Sequence, residues 1–338
     1  MDTLLLETTA KAMVAPGKGI LAADESSGTC KKRFDSVGVE CTEENRRLYR
    51  QMLLTTPELG KHVSGVILYD ETLRQKTDDG TPFAEILKRN GILPGIKVDT
   101  GAHALALFPG EKVTDGLDKL RDRLAEYRKL GARFAKWRAV ITIGEDLPTD
   151  SCIQANAHAL ARYAGLCQEA DIVPIVEPEV LMDADNTIER CFDVTERTLK
   201  IVFATLKEFR IHLPGIVLKP NMVVSGKQCP EQASPEEVAK LTFKCLKATV
   251  PAEVPGIAFL SGGQSDVTAT LHLNLMNQLG KKPWAMTFSY GRALQDKALK
   301  IWAQNIKSSA AGQKALLLRA QCNGAASLGQ YTATMEQA

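Results

Sequence analysis

The chain has 338 residues, of which 44% are hydrophobic and 24% charged, a composition typical of a globular protein with a sizeable core. Its 42 Lys and Arg residues nearly balance 40 Asp and Glu residues, so the net charge of +2 excludes a general basic affinity for nucleic acid or membrane surfaces. No apolar stretch approaches the roughly 20 residues that cross a bilayer, and "MDTLLLETTAKAMV" is not typical of a signal peptide, so we expect a soluble cytoplasmic protein.

Eight short apolar runs are predicted as β-strands because longer helical patterns separate them. In chain order the runs are "GILAAD" (19–24), "VSGVILYD" (63–70), "GIKVD" (95–99), "FAKWRAV" (134–140), "DIVPIVEPE" (171–179), "GIVLKP" (215–220), "GIAFLSGG" (256–263) and "WAMTFSYG" (284–291).

Three of the intervening segments carry clear helix signals. Residues 152–169 are rich in Ala and Leu after a polar start, and residues 186–210 have apolar side chains at three- and four-residue spacing. The sequence "SPEE" (234–237) provides an N-cap serine, a proline at the first helical position and the glutamate of a capping box.

The alternation of strands and helices predicts parallel β-α-β units. Eight such units in one undivided chain favour a closed (β/α)8 TIM barrel, with the active site at the C-terminal ends of the strands; an open doubly wound sheet is the alternative. We expect a single barrel domain over residues 1–338, with an N-terminal helical segment and a short C-terminal extension.

Charged residues occur in pairs near the ends of three predicted strands. These pairs are Lys97 with Asp99, Lys136 with Arg138, and Glu177 with Glu179. Because side chains two residues apart point to the same face of a strand, both members of each pair face the barrel mouth or both face the helices. Facing the mouth costs less free energy, because contact with the apolar helix faces would desolvate the charges.

Other strand ends add polar groups to the same rim. They are Asp24 after the first run, Lys219 in the sixth, Ser261 in the seventh, and Ser289 with Arg292 at the eighth. A single strand-end charge is commonly just solvated, and Glu177 and Glu179 could instead neutralise Lys136 and Arg138 in a structural ion-pair network. Because at least six strands contribute and a barrel has one such rim, we favour convergence on one site.

A phosphate site is indicated after the last two strands. "SGGQS" (261–265) offers a hydroxyl and backbone N–H groups whose glycines can form an anion-binding nest, and "SYGR" (289–292) adds a guanidinium. Barrels frequently bind phosphate with these two loops. Together, the two loops predict an anionic ligand.

Lys219 is the candidate nucleophile. A lysine attacks a carbonyl only as the free amine, which desolvation and neighbouring cations such as Lys136 or Arg138 would favour. Glu177 could then transfer the protons of carbinolamine dehydration, and the resulting imine would act as an electron sink for cleavage of the adjacent carbon–carbon bond. This chemistry requires no cofactor.

Metal, nucleotide and redox chemistry lack their sequence signals. The five histidines have no H-x-x-x-H or H-E-x-x-H spacing, and no phosphate-binding P-loop occurs. The eight cysteines are scattered without a C-x-x-C pair, so we expect reduced thiols rather than a disulfide framework. We therefore expect no metal.

Over essentially its whole length the sequence resembles class I fructose-bisphosphate aldolases, which are metal-independent Schiff-base enzymes. The motifs that carry the resemblance are "PGKGILAADES", "TEENRR", "GIKVD", "FAKWR", "IVPIVEPE", "LKPNM", "FLSGGQS", "FSYGRAL" and "GQYT". The resemblance implies reversible cleavage of fructose 1,6-bisphosphate to dihydroxyacetone phosphate and glyceraldehyde 3-phosphate, in glycolysis and gluconeogenesis.

Residue roles follow from the resemblance, motif by motif. Lys219 is similar to the Schiff-base lysine, Glu177 to the general acid/base with Glu179 beside it, Lys136 to the lysine that assists carbinolamine chemistry, and Asp24 to the aspartate at the C4 hydroxyl. The C1-phosphate positions are matched by Ser261, Gly262, Gly263, Ser289, Gly291 and Arg292. The C6-phosphate side is matched by Ser26, Lys32, Arg33, Lys97 and Arg138. Asp24 and Glu177 are both candidates for taking the C4 hydroxyl proton.

The sequence departs from the family pattern at two places. "DESSGT" stands where members often have "DESTGS", so Thr29 keeps a hydroxyl. Eukaryotic members continue to a tail ending in a tyrosine that affects turnover, whereas this sequence ends at "GQYTATMEQA", with Tyr331 matching the residue before that tail.

The resemblance also implies partners. Sugar phosphates are the expected ligands, a homotetramer the expected assembly, and further protein partners are known for some members. The alternatives are another Schiff-base barrel lyase acting on a different phosphorylated keto substrate, and a protein-binding scaffold on the aldolase fold. Two phosphate-binding ends disfavour the first, and an intact set of Lys219, Glu177, Lys136 and Asp24 disfavours the second.

Overall fold

The fold is a closed barrel of eight parallel strands, seen in a computed structural model that describes residues 1–337. The strands of this part of the chain are β1 (Gly19–Ala23), β2 (Val63–Leu68), β3 (Leu93–Lys97), β4 (Gly101–Ala104), β5 (Lys112–Asp115), β6 (Phe134–Ile141), β7 (Val173–Val180), β8 (Val217–Leu218), β9 (Gly256–Phe259) and β10 (Ala285–Tyr290). All but β4 and β5 form the barrel, each beside its predecessor along the chain, and β10 pairs with β1 to close it. The predicted TIM barrel is confirmed, and the open sheet is not what forms.

Helices connect the strands and cover the outside of the barrel. Within residues 1–337 the α-helices are α1 (Thr3–Met13), α2 (Ser27–Asp35), α3 (Glu43–Leu54), α4 (Asp70–Arg74), α5 (Phe83–Arg89), α6 (Leu120–Lys129), α7 (Asp150–Glu169), α8 (Ile188–Glu208), α9 (Pro235–Thr249), α10 (Asp266–Gln278), α11 (Arg292–Trp302) and α12 (Ala310–Ser327). The three helices with clear sequence signals are confirmed as α7, α8 and α9. At α9 the Ser234 side chain accepts a hydrogen bond from the backbone N–H of Glu237, as the N-cap signal predicts.

The side chains that point into the barrel change from apolar to charged towards its C-terminal rim. On β6 the inward series begins with Phe134 and continues to Lys136, whereas Trp137 faces outward against Tyr163 of α7. On β8, Val217 belongs to the inner apolar cluster and Lys219 follows it on the same face. This period-two alternation delivers the charged groups to one end of the barrel.

The N-terminal helix α1 closes the opposite end. Its Leu6, Ala10 and Met13 are fully buried and pack with inward residues of the strands in one apolar cluster. Above this plug, the Phe134 ring fills the space left by a glycine on the next strand: a Cβ added to Gly95 would lie 2.2 Å from the ring. The lower half of the barrel is therefore solid.

Two strand ends differ from the sequence prediction, both near the site. The third strand ends at Lys97, because the chain then turns into the antiparallel hairpin β4–β5, which the sequence analysis missed. The strand β8 has only two residues, since Pro220 has no N–H to extend the ladder. Asp99 and Lys219 thus lie just beyond their strands.

The hydrophobicity of the helices and the state of the cysteines can be compared with the sequence predictions. In the described part of the chain, no helix is long and apolar enough to cross a membrane. All eight cysteines are free thiols, and every one except Cys41 is buried.

Candidate active site

The C-terminal rim of the barrel surrounds a cavity of about 920 Å³. Of the sixteen site residues taken from the sequence, all but Gly263 line it. They are Asp24, Ser26, Lys32, Arg33, Lys97, Lys136, Arg138, Glu177, Glu179, Lys219, Ser261, Gly262, Ser289, Gly291 and Arg292. Gly263 lies next to the lining residue Gly262, in the loop between β9 and α10.

Four alternating charges form a continuous chain on the floor of this cavity. Lys136 Nζ is 2.8 Å from a carboxylate oxygen of Asp24 and 3.5 Å from one of Glu177. The other Glu177 oxygen is 3.1 Å from Lys219 Nζ. All four side chains are buried or nearly so, with Asp24 the most exposed at 12%. Each group therefore lies within 3.5 Å of an oppositely charged neighbour.

Burial and charge compete in setting the pKa values of this chain. Burial on its own raises the pKa of Asp24, but the charges of Lys136, Lys219 and Lys97 outweigh it and hold that pKa at about 2. For Lys136, burial disfavours the ammonium, yet the carboxylates of Asp24 and Glu177 raise its pKa above the ordinary lysine value. Asp24 is thus a firm anion and Lys136 a firm cation at neutral pH.

Glu177 is the member of the chain with spare hydrogen-bonding capacity. Its Oε2 atom is buried and has no hydrogen-bond partner among the described residues. In place of the cation predicted beside Lys219, the strands bring the Glu177 carboxylate between Lys219 and Lys136. Lys219 therefore has a proton acceptor at contact distance.

Two more ion pairs stand beside this chain. Lys97 Nζ is 2.6 Å from Asp99, and the Arg138 guanidinium pairs with Glu179. The ion-pair network considered as the alternative from the sequence thus consists of real contacts, with Glu177 on Lys136 and Glu179 on Arg138. The ion-pair network forms part of the cavity wall, since all of these side chains line the cavity.

Backbone and hydroxyl donors gather at one end of the cavity. Gly262 and Gly263 have φ values of +60° and +94°, which glycine adopts without strain and which turn successive N–H groups towards one point. Ser289 Oγ is buried and finds no partner within residues 1–337. Helix α11 begins at Arg292, and no side chain of the described residues caps its first turn, so free N–H groups point at the cavity. This end is built to receive an anion.

The other end of the cavity is lined by cationic side chains. Lys32 and Arg33 lie on α2, whose N-cap is Ser26. Arg33 is 2.6 Å from Glu25, which Arg50 also contacts at 2.7 Å from a fully buried position. Because one carboxylate serves two guanidinium groups, this corner keeps a positive charge.

The sequence analysis missed several cavity residues. Asp296 and Lys300 line the wall with Arg292, four residues apart along α11. Their i, i+4, i+8 spacing places the three side chains on one face of the helix, a signal that is present in the sequence. Glu25 has no such signal, because its contacts with Arg33 and Arg50 form only in the folded chain.

No metal-binding cluster is evident in residues 1–337: no three His, Cys, Asp or Glu side chains come together in a way that could hold an ion.

Comparisons with known proteins all lead to one family. A sequence model of the family described as "Glycolytic: Fructose-bisphosphate aldolase class-I" matches residues 5–338. A probable class 1 fructose-bisphosphate aldolase of Xanthomonas campestris is 61% identical over 327 residues, covering 96% of this chain and 98% of that protein. The cytosolic fructose-bisphosphate aldolase 4 of Arabidopsis thaliana is 53% identical, over 94% of this chain and 81% of the relative.

A solved structure extends the agreement to three dimensions. The fructose-bisphosphate aldolase of Plasmodium falciparum, in a ternary complex with TRAP and a small-molecule inhibitor, superimposes with a TM-score of 0.96 at 48% sequence identity. The superposition covers 97% of this chain and 95% of the other. With the family match over nearly all of its length, the chain belongs to the class I fructose-bisphosphate aldolases.

Proposed function

We propose that Lys219 is the residue through which this aldolase forms its Schiff base. The reaction is the reversible aldol cleavage of fructose 1,6-bisphosphate to dihydroxyacetone phosphate and glyceraldehyde 3-phosphate, which makes the protein a carbon–carbon lyase of glycolysis. The observation that carries the assignment is the contact between Lys219 Nζ and Glu177 at 3.1 Å, on the floor of a cavity with an anion site at each end.

The first half of the proposed reaction builds the electron sink. Glu177 takes a proton from Lys219, and the free amine attacks the C2 carbonyl of the sugar to give a carbinolamine. Proton transfer to the C2 hydroxyl, from Glu177 with the Lys136 ammonium 3.5 Å from it, lets that oxygen leave as water. The product is a protonated imine, which withdraws electrons from the neighbouring C3–C4 bond.

The second half cleaves that bond. A carboxylate removes the C4 hydroxyl proton, the C3–C4 electron pair moves into the iminium to form an enamine, and C4 becomes the aldehyde of glyceraldehyde 3-phosphate. Protonation of C3 and hydrolysis of the imine release dihydroxyacetone phosphate and restore the Lys219 amine. Between the two candidates for the C4 proton, Glu177 is supported by its Oε2 atom, which accepts no hydrogen bond in the described chain, whereas Asp24, with a pKa of about 2, is the weaker base.

The two phosphates of the substrate fit the two ends of the cavity. The C1 phosphate takes the donors of the glycine loop and α11: Ser261, Gly262, Gly263, Ser289, Gly291 and Arg292. The C6 phosphate takes the opposite end: Ser26, Lys32, Arg33, Lys97 and Arg138. Supporting this division, Ser289 Oγ lacks a partner in the described chain and Arg292 has no carboxylate within 4 Å there. Glu179 holds Arg138 in place through their ion pair.

Borohydride trapping with dihydroxyacetone phosphate, followed by peptide mapping, tests the assignment. Label should appear on Lys219 and disappear in Lys219→Met, while Lys207→Met, an exposed lysine on α8, should be labelled like the wild type. Label on another lysine, or none in the wild type, would overturn it. Activity that EDTA abolishes would contradict a metal-independent reaction.

The choice between Asp24 and Glu177 has its own test. If Glu177 takes the C4 proton, the rate of cleavage per Schiff base formed, with the Schiff base measured by borohydride trapping in the same single turnover, should fall further in Glu177→Gln than in Asp24→Asn. The reverse order would assign the step to Asp24.

We further infer a cytoplasmic homotetramer that also meets protein partners. The cytosolic relative from Arabidopsis thaliana supports the location, and the TRAP complex of the Plasmodium falciparum aldolase supports further partners. Light scattering of the purified protein, with a mass four times that of the chain as the expected result, tests the assembly.

A further inference from the structure

Lys227, which has no role in the site described so far, is held rigidly beside the phosphate end of the cavity. The segment after β8 runs along the loop after β7, with Lys227 N–H donating to Met182 at 2.8 Å and Gln228 N–H donating to Ala184 at 3.0 Å. Gly226 is needed for this approach, because a Cβ there would lie 2.1 Å from the Ala184 carbonyl oxygen. The backbone that carries Lys227 is therefore fixed.

The Lys227 side chain and Arg292 converge on one point in space. An atom placed where Gly263 lacks its Cβ would be 2.7 Å from Lys227 Nζ and 3.1 Å from Arg292 Nη2. The two nitrogens therefore lie less than 6 Å apart, close enough for one anion to contact both. An anion that binds beside Gly263 could therefore accept hydrogen bonds from both cations, and a side chain at position 263 would displace at least one of them.

Two cations this close repel each other unless an anion lies between or beside them. Lys227 pairs with Asp183, but the Lys227 side chain is 36% exposed and Asp183 60%, so water weakens that pair. Arg292 has no carboxylate within 4 Å in residues 1–337. The arrangement becomes favourable when a phosphate binds against both cations.

We propose that Lys227 is a further ligand of the C1 phosphate, released from Asp183 when the phosphate binds. The proposal rests on the assignment of that phosphate to the loop that contains Gly263. Asp183 acts as a positioning residue that keeps Lys227 next to the empty site and competes with the ligand for its ammonium. Substrate binding exchanges one ion pair for another.

Steady-state kinetics with fructose 1,6-bisphosphate and fructose 1-phosphate test the role. Lys227→Ala should raise KM about tenfold, the usual size of one lost charge-assisted hydrogen bond, and by the same factor for both substrates because both carry the C1 phosphate. A ligand of the other phosphate would affect the bisphosphate alone. Lys227→Arg should restore most of the loss, and Lys207→Ala should leave both KM values unchanged.

Asp183→Asn should change KM in the opposite direction to Lys227→Ala. Removing the competing carboxylate should lower KM for both substrates and tighten the binding of dihydroxyacetone phosphate measured by calorimetry. A raised KM in Asp183→Asn would overturn the proposal, and so would an unchanged KM in Lys227→Ala while Arg292→Ala still weakens binding. If Arg292→Ala is also without effect, the phosphate assignment itself fails.

Discussion

Lys136 is the cation that makes two buried carboxylates tolerable. Its ammonium lies 2.8 Å from Asp24 and 3.5 Å from Glu177, and none of the three side chains is more than 12% exposed. Removing one partner of a buried ion pair costs about 3–5 kcal/mol, because the uncompensated charge stays behind. We expect Lys136→Met to lower the free energy of unfolding at pH 7 by about 3 kcal/mol, the low end, since Lys219 still contacts Glu177.

The loss should shrink as the pH falls. Lys136 is the largest of the charges that oppose burial at Asp24, so we expect its removal to raise the pKa of Asp24 from about 2 to above the ordinary value. A carboxyl whose pKa is raised by folding binds more protons in the native state, so stability increases as pH falls through that raised pKa. The wild type, with its lowered Asp24 pKa, gains nothing from this carboxyl over the same range.

Urea unfolding at a fixed protein concentration measures both effects. The set comprises the wild type, Lys136→Met, Asp24→Asn and the double variant, each at pH 7 and at a pH near 4.5. We expect the double variant to be more stable than Lys136→Met alone, because it no longer buries an unpaired carboxylate at position 24. Strictly additive losses, or an equal loss for Lys136→Met at both pH values, would refute this account of the charge chain.

Three further predictions concern residues outside the reaction. Gly95→Ala should destabilise the barrel by about 1–3 kcal/mol, since its Cβ would lie 2.2 Å from the Phe134 ring, and Gly95→Ala with Phe134→Leu should recover part of that loss in melting experiments. Burial lowers the pKa of His272 from 6.5 to about 4, so stability worth about 3 kcal/mol should be lost as pH falls from 6.5 to 4, and His272→Gln should flatten that dependence. Iodoacetamide at pH 8 should alkylate Cys41 well before Cys152, whose pKa burial raises to about 11, as mass spectrometry of the native protein will reveal.

Most of the barrel could be predicted from the sequence because each strand is a short apolar run followed by a polar residue. Lys219 illustrates the strength of this pattern: period-two alternation puts it on the face of Val217, and the structure has both on the inner side. The hairpin β4–β5 was missed because "GAHA" and "KVTD" are too short and too polar to be distinguished from a loop.

The pairing of charges across strands could not be predicted. Which carboxylate meets which ammonium depends on register and on side-chain reach, so a slip of one residue would exchange the partners. Lys97 and Lys136 are register partners in β3 and β6, yet each finds its carboxylate elsewhere, on Asp99 and on Asp24. Lys227 was invisible for the same reason, because only the folded chain brings it to a loop some 35 residues further on.

Because α1 closes one end of the barrel, the cavity opens only at the C-terminal ends of the strands. This single opening imposes an order on substrate binding and product release. Leu6, Ala10 and Met13 fill the end of the barrel opposite the cavity. Substrate, products and the hydrolytic water therefore share the opening at the C-terminal rim. While the keto product is still bonded to Lys219, the aldehyde is the only free molecule in the cavity, so it departs first. Water then needs the space that the aldehyde has left. In the direction of synthesis, an aldehyde that arrives before the keto substrate blocks the entrance, and high concentrations of it should therefore slow condensation.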